Sequence, residues 1–136
     1  MSDSDTPFTV EMQVRDYECD LQGIVNNSVY FNYLEHARHQ FLKTRNLDFA
    51  QLAAQQINLV LIRCEIDYKS SLRPGDVFTV SVEPERISRL KIGFRQRIHR
   101  KVDNQLMIDA FATVTSVNGK GRPFMPDCIE PLFQVE

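Results

Sequence analysis

Between Val60 and Val117 four stretches alternate apolar and polar residues, and the gaps between them are too short to hold a helix. In the first, Val60, Ile62, Cys64, Ile66 and Tyr68 alternate with Leu61, Arg63, Glu65 and Asp67. The second, Val77 to Pro84, carries Phe78, Val80 and Val82. The third, Leu90 to Arg100, sets Leu90, Ile92, Phe94 and Ile98 against Lys91, Arg95, Arg97 and His99, and the fourth runs from Leu106 to Val117. Alternation with a period of two marks half-buried strands. Arg73-Pro74-Gly75-Asp76 and Val102-Asp103-Asn104-Gln105 supply turns, and Asn118-Gly119-Lys120-Gly121 ends the last strand. Parallel neighbours need crossovers of roughly a dozen residues or more. The sheet is therefore expected to be antiparallel.

Ahead of this block, Phe8 to Tyr17 reads as a fifth strand, with Phe8, Val10, Met12 and Val14 alternating with Thr9, Glu11, Gln13 and Arg15. Asp20 to Asn26 reads as a loop. A long helix follows over residues 27–43, where Tyr30, Tyr33, Leu34, Ala37 and Phe41 recur at helical spacing. Asn26 or Asn27 suits its N-cap and Asn46 its stop. A short helix capped by Asp48 runs to about Gln55. The order indicates an α+β fold, in which an antiparallel five-stranded sheet wraps around one long central helix.

The 136 residues fit one domain with one core, and 43% hydrophobic with 25% charged residues is ordinary globular composition. Residues 1–7 read as a loose polar lead-in and not a signal peptide, and residues 119–136, with Pro123, Pro126 and Pro131, as an extended surface tail. No apolar run is long enough to cross a membrane as a helix. The net charge of −2 predicts no general attraction to nucleic acid or to an anionic membrane. Cys19, Cys64 and Cys128 are an odd number without metal-ligand spacing, which predicts a reducing, cytoplasmic setting and neither disulfide framework nor zinc site.

Chemistry is concentrated in Asp16-Tyr17-Glu18-Cys19-Asp20-Leu21-Gln22-Gly23-Ile24-Val25-Asn26-Asn27. This stretch sets a carboxylate, Asp20, directly before a helix start, where backbone N–H groups lack intrahelical partners and the helix dipole is positive. Such N–H groups can hold a developing oxyanion while the carboxylate attacks a carbonyl or activates water. An aspartate, with a reference pKa of about 3.9, is ionised at neutral pH without special tuning. The competing reading of Asp20 is a turn or capping residue. Cys19 adjoins it, but no histidine stands near in sequence to activate the thiol.

Cys19-Asp20-Leu21-Gln22-Gly23-Ile24-Val25, together with Asn26-Asn27-Ser28-Val29-Tyr30 and Glu35-His36-Ala37-Arg38, resembles the hot-dog-fold acyl-CoA thioesterases, and most of all the 4-hydroxybenzoyl-CoA thioesterase-like branch. Element order extends the likeness over roughly residues 8–118. The resemblance implies thioester hydrolysis, with Asp20 as nucleophile or general base and the backbone N–H of Asn27 as oxyanion donor. It implies no metal or redox cofactor, and coenzyme A enters as part of the substrate. Gly23 lets the loop turn or approach the substrate, and Tyr30 and Tyr33 fall on the apolar stripe as core or pocket wall. Glu35 is a rival carboxylate, because a second branch uses a glutamate on the central helix. Its competing role is structural, an ion pair with its helix neighbours Arg38 or His39 or a subunit contact. One position departs from many relatives: Ile24 stands where they carry histidine.

Arg86, Arg89, Lys91, Arg95, Arg97, Arg100 and Lys101 form a basic cluster. Arg89 and Lys91 best match the place where related hydrolases touch coenzyme A, with Arg122 an outside candidate. A solvated strand face explains the same charges. Relatives form homodimers, often paired into homotetramers, with the active site between subunits. Two other functions fit the same fold: an acyl-carrier-protein thioesterase, and a non-catalytic acyl-binding module that has no need of Asp20.

Overall fold

The computed structural model describes residues 7–133, so the expected lead-in lies, but for Pro7, outside the described residues. Along the chain come β1 (Phe8–Gln13), α1 (Asn27–Thr44), α2 (Phe49–Ala54), β2 (Asn58–Tyr68), β3 (Val77–Ser88), β4 (Lys91–Arg100) and β5 (Gln105–Val117). All strand pairs are antiparallel, in the spatial order β1-β3-β4-β5-β2. β1 and β2 thus form opposite edges of one sheet, and the chain between them carries α1.

The helix buries the face expected from its spacing. Tyr30, Tyr33, Leu34, Ala37 and Phe41 are inside, joined by Leu42. Against them stand Phe78, Val80 and Val82 of β3, Ile92, Phe94 and Ile98 of β4, and Ile108, Ala110, Ala112 and Val114 of β5. Aromatic rings tie helix to sheet: Tyr33 lies 4.7 Å from Phe78 and Phe41 lies 5.5 Å from Phe8, both centroid to centroid. Asn46, in left-handed conformation at φ 61°, follows the end of α1. The Asp48 side chain caps α2 by accepting from the N–H groups of Ala50 and Gln51.

Several boundaries differ from the sequence expectation. The first strand ends at Gln13, and Asp16–Glu18 forms a 3₁₀ turn. Asn26 occupies the N-cap position, but its side chain caps nothing. In β2 the register shifts between Leu61 and Arg63. One extra residue in a strand exchanges its two faces beyond that point, so the half-buried apolar residues of β2 are Leu59 before the shift and Cys64 and Ile66 after it.

β3 runs past Pro84 to Ser88. Among the described residues pairing with β1 ends at Val82, and beyond it β4 is the one strand paired with β3. A proline without an N–H is tolerated on such an open side. The end of the chain is also different: Asp127–Phe133 is a 3₁₀ segment, not an extended tail, and it buries Ile129 and Leu132 in the core. Glu130 accepts a hydrogen bond from Arg86 at 2.7 Å, and the Arg86 guanidinium stacks over Phe133.

Candidate active site

Residues 19–25 form a tight hairpin in front of α1. Cys19 and Val25 pair as an isolated bridge, the Asp20 N–H donates to the Ile24 carbonyl (2.9 Å), and the Gly23 N–H donates back to the Asp20 carbonyl (3.0 Å). Gly23 has φ +75°, the left-handed region in which a side chain is disfavoured. Asp20 Oδ1 accepts the Gln22 N–H at 2.8 Å, which fixes the carboxylate at the corner of the turn. Oδ2 has no hydrogen-bond partner among the described residues.

Two further bonds anchor this hairpin. The Val25 N–H donates to the Leu72 carbonyl, and the Asn26 N–H donates to the Glu18 carbonyl at 3.0 Å. The Glu18 carboxylate accepts from the Arg15 N–H and from the Tyr33 hydroxyl, both at 2.8 Å. The loop is therefore held by the helix it precedes. No side chain caps α1; the Val29 N–H donates to the Asn26 carbonyl at 2.9 Å, and the Asn27 N–H ahead of it has no hydrogen-bond partner among the described residues. The Cys19 thiol is pushed above its usual pKa by desolvation and by Asp16, Glu18, Asp20 and Asp76 around it. That disfavours the Cys19 thiolate.

The other candidates are spread over the molecule. Tyr30 is buried, and its hydroxyl accepts the Leu72 N–H at 3.0 Å. Glu35 is exposed on α1, 3.8 Å from His39 Nε2. Arg89 and Lys91 lie at the β3–β4 turn and make no ion pair among the described residues, and Arg122 is likewise exposed. The rest of the basic cluster is neutralised: Arg86 by Glu130, Arg95 by Asp109, Arg97 by Asp109 and Glu83, Arg100 by Asp103, and Lys101 by Glu11. The Asp20 hairpin packs near the start of β3, whereas Arg89 follows its last residue. At ~3.3 Å per residue the two ends are about 30 Å or more apart. One chain does not bring Asp20 and Arg89 together.

A pocket of about 160 Å³ opens between the second half of α1 and the sheet. Leu42, Leu59, Leu61, Phe94 and Val114 form its apolar walls, and Glu35, Arg38 and His39 its polar groups. Asp20 is exposed and does not line it. Arg38 Nη1 donates to Gln96 Oε1 at 2.9 Å, and Gln96 Nε2 donates to the Leu34 carbonyl at 2.9 Å. From the sequence Arg38 is expected only as a helix neighbour of Glu35, and Gln96 is not among the candidates. A signal existed: Gln96 is a polar residue on the apolar phase of Ile92, Phe94 and Ile98.

Residues 14–130 match the family model described as thioesterase-like superfamily. The chain belongs to that superfamily. It is 33% identical over 125 residues to the acyl-acyl carrier protein thioesterase ATL3, chloroplastic, of Arabidopsis thaliana, an alignment covering 91% of this chain and 66% of that protein. Coverage of a second Arabidopsis thaliana relative, ATL2, is 61% of its length, so the chain spans just under two thirds of either protein. To the acyl-CoA thioesterase YbgC of Haemophilus influenzae it is 32% identical, over 88% of each chain. The crystal structure of a hypothetical protein from Aquifex aeolicus superimposes with a TM-score of 0.88 at 28% identity, covering 94% of this chain and all of that one. The sheet and its central helix are those of the hot-dog members of this superfamily.

Proposed function

We propose that this protein hydrolyses acyl thioesters to a free carboxylic acid and a thiol, with coenzyme A as the thiol carrier. One observation carries the reading: the Asp20 carboxylate is fixed at the corner of a hairpin directly before the uncapped N-terminus of α1. A thioester carbonyl placed between them meets Asp20 Oδ2 on one side and the Asn27 N–H on the other. Attack by Oδ2 expels the thiolate and leaves a mixed anhydride, which water then cleaves. Alternatively Asp20 takes a proton from the water that attacks. Either route places negative charge on the carbonyl oxygen, where an N–H donor is worth about 10²–10³ in rate.

A second copy of the chain completes the site in this reading. Asp20 lies outside the pocket of its own chain and far from its own Arg89 and Lys91. β2 is an unpaired edge with Val60, Leu61 and Ile62 exposed in succession. β1, the other edge, exposes polar Thr9, Glu11 and Gln13. Apolar edges favour pairing, and charged ones discourage it. A two-fold axis through β2 exchanges the two ends of the sheet, and so carries one copy's pocket and β3–β4 turn to the end where the other holds Asp20. In a dimer, Arg89 and Lys91 then serve the nucleotide phosphates.

The identity to ATL3 supports a second carrier, a phosphopantetheine arm on an acyl carrier protein. Thiol release from matched acyl-CoA and acyl-carrier-protein esters distinguishes the two. In the same assay Asp20→Asn is expected to lower kcat on the order of 10³-fold or more with the fold intact, as for other nucleophile or base removals. Near-wild-type turnover in that variant would overturn the assignment.

A further inference from the structure

The pocket beside α1 contains a cation, Arg38, that makes no ion pair among the described residues. Arg38 is half-buried, and its one hydrogen-bond partner among the described residues is the neutral amide of Gln96. No carboxylate oxygen of those residues lies within 4 Å of it, although Glu35 is one helical turn away. Glu35, more than half exposed, faces His39 at the rim, and Cys64 of β2 is the remaining titratable neighbour. Desolvation lowers the Arg38 pKa, the mark of a charge that burial opposes.

Gln96 shows that the guanidinium is held on purpose. It is wholly buried, and the Leu34 carbonyl can only accept, so the amide nitrogen must face it. The amide oxygen is thereby directed at Arg38 Nη1. A buried glutamine thus aims one N–H group and leaves the rest of the guanidinium to the pocket. Removing a charge even partly from water without an ionic partner costs free energy. A ligand carboxylate returns that energy through paired N–H···O bonds, for which the planar fork is built.

We propose that Arg38 determines specificity and that the pocket takes an acyl group ending in a second carboxylate, the monothioester of a dicarboxylic acid. The apolar walls at Leu42, Phe94 and Val114 hold the methylenes, and Arg38 holds the distal carboxylate. The inference rests on the hydrolase reading for the identity of the ligand, but its geometry is independent of turnover.

The test compares glutaryl-CoA with pentanoyl-CoA, which differ by a terminal carboxylate against a methyl group, and with 5-hydroxypentanoyl-CoA. Hydrolysis is followed by thiol release, and binding of the corresponding uncleavable thioethers by calorimetry. The glutaryl group is expected to lead in both by about 10–100-fold, the worth of a charge-assisted bond. Arg38→Met is expected to bring the ratio to about one. Arg38→Met/Gln96→Leu, which removes both polar partners together, guards against a folding failure. Equal or better use of the pentanoyl or hydroxypentanoyl group would overturn the inference while leaving thioester hydrolysis standing. Arg38-dependent binding of the glutaryl thioether without hydrolysis of any ester would uphold the pocket and overturn the hydrolase reading.

Discussion

The Tyr33 hydroxyl donates to the Glu18 carboxylate at 2.8 Å, joining the second turn of α1 to the residue two places before Asp20. Burial, followed by the bond to Glu18, holds the Tyr33 hydroxyl well above its usual pKa, so it stays a donor. The Glu18 carbonyl meanwhile receives the Asn26 N–H. One residue therefore ties together the hairpin, the helix start and the helix body. Tyr33→Phe should cost about 1 kcal/mol of stability, the usual worth of one hydrogen bond. It should lower kcat by roughly 10-fold or more through misplacement of Asp20 while KM stays near its original value. Glu18→Gln, which keeps an acceptor oxygen, should retain more activity than Glu18→Leu. Parallel changes in KM and kcat across these variants would show that the contact serves folding alone.

How far the sequence foretells this arrangement depends on the distance between partners. The Asp48 cap and the phase of Tyr30, Tyr33, Ala37 and Phe41 rest on neighbours within one or two helical turns, and both are legible. The antiparallel order follows from turn lengths alone. Pro84 misleads because its tolerance depends on where β1 stops pairing, which β3 does not encode. The pairing of Arg38 with Gln96 spans 58 positions and declares itself only as a polar residue in an apolar phase. Asp20 was legible as a carboxylate before a helix. That one chain keeps it apart from Arg89 was not, since this requires the strand order and register.

Ile129 and Leu132 are spaced three apart, as one turn of a 3₁₀ segment requires, and both are almost fully buried. The C-terminal segment is part of the core in physical terms. Ile129→Ala and Leu132→Ala are each expected to lower stability by about 2–4 kcal/mol, the range for large-to-small substitutions at buried sites. Thermal or denaturant unfolding reads the change directly. Losses below about 1 kcal/mol at both positions would mean that the segment only rests on the surface.

The β4–β5 turn carries a pH-dependent contact. Arg100 Nη2 lies 2.6 Å from Asp103 Oδ2, and Nε donates to Oδ1 at 3.1 Å. This hydrogen-bonded pairing lowers the Asp103 pKa from 3.8 to about 2. Because the folded value lies below the unfolded one, the contribution is present above about pH 4 and disappears as pH falls through about 2. Asp103→Asn should be less stable than wild type at neutral pH, with the gap closing over that acid range. The pair is exposed, so the gap should be small and should shrink further in salt. A stability difference independent of pH between 5 and 2 would refute the linkage.

The β2 edge offers the most direct test of assembly. Ile62 is 47% exposed and sits at the register shift of β2, a strand paired on one side with β5 and at the edge of the sheet on the other. A lysine there leaves the core of one chain untouched, since the side chain already faces solvent. In a β2–β2 pair the same lysine meets its symmetry mate or the apolar Val60 and Leu61 of the partner strand, and like charges or buried ammonium groups oppose pairing. Ile62→Lys should therefore shift the protein toward monomer in sedimentation or light scattering, with circular dichroism unchanged. If the active site spans two copies, thiol release should fall in step with the dimer fraction and recover at high protein concentration. A monomeric variant with full turnover would confine the site to one chain and require Asp20 to act without a partner's pocket.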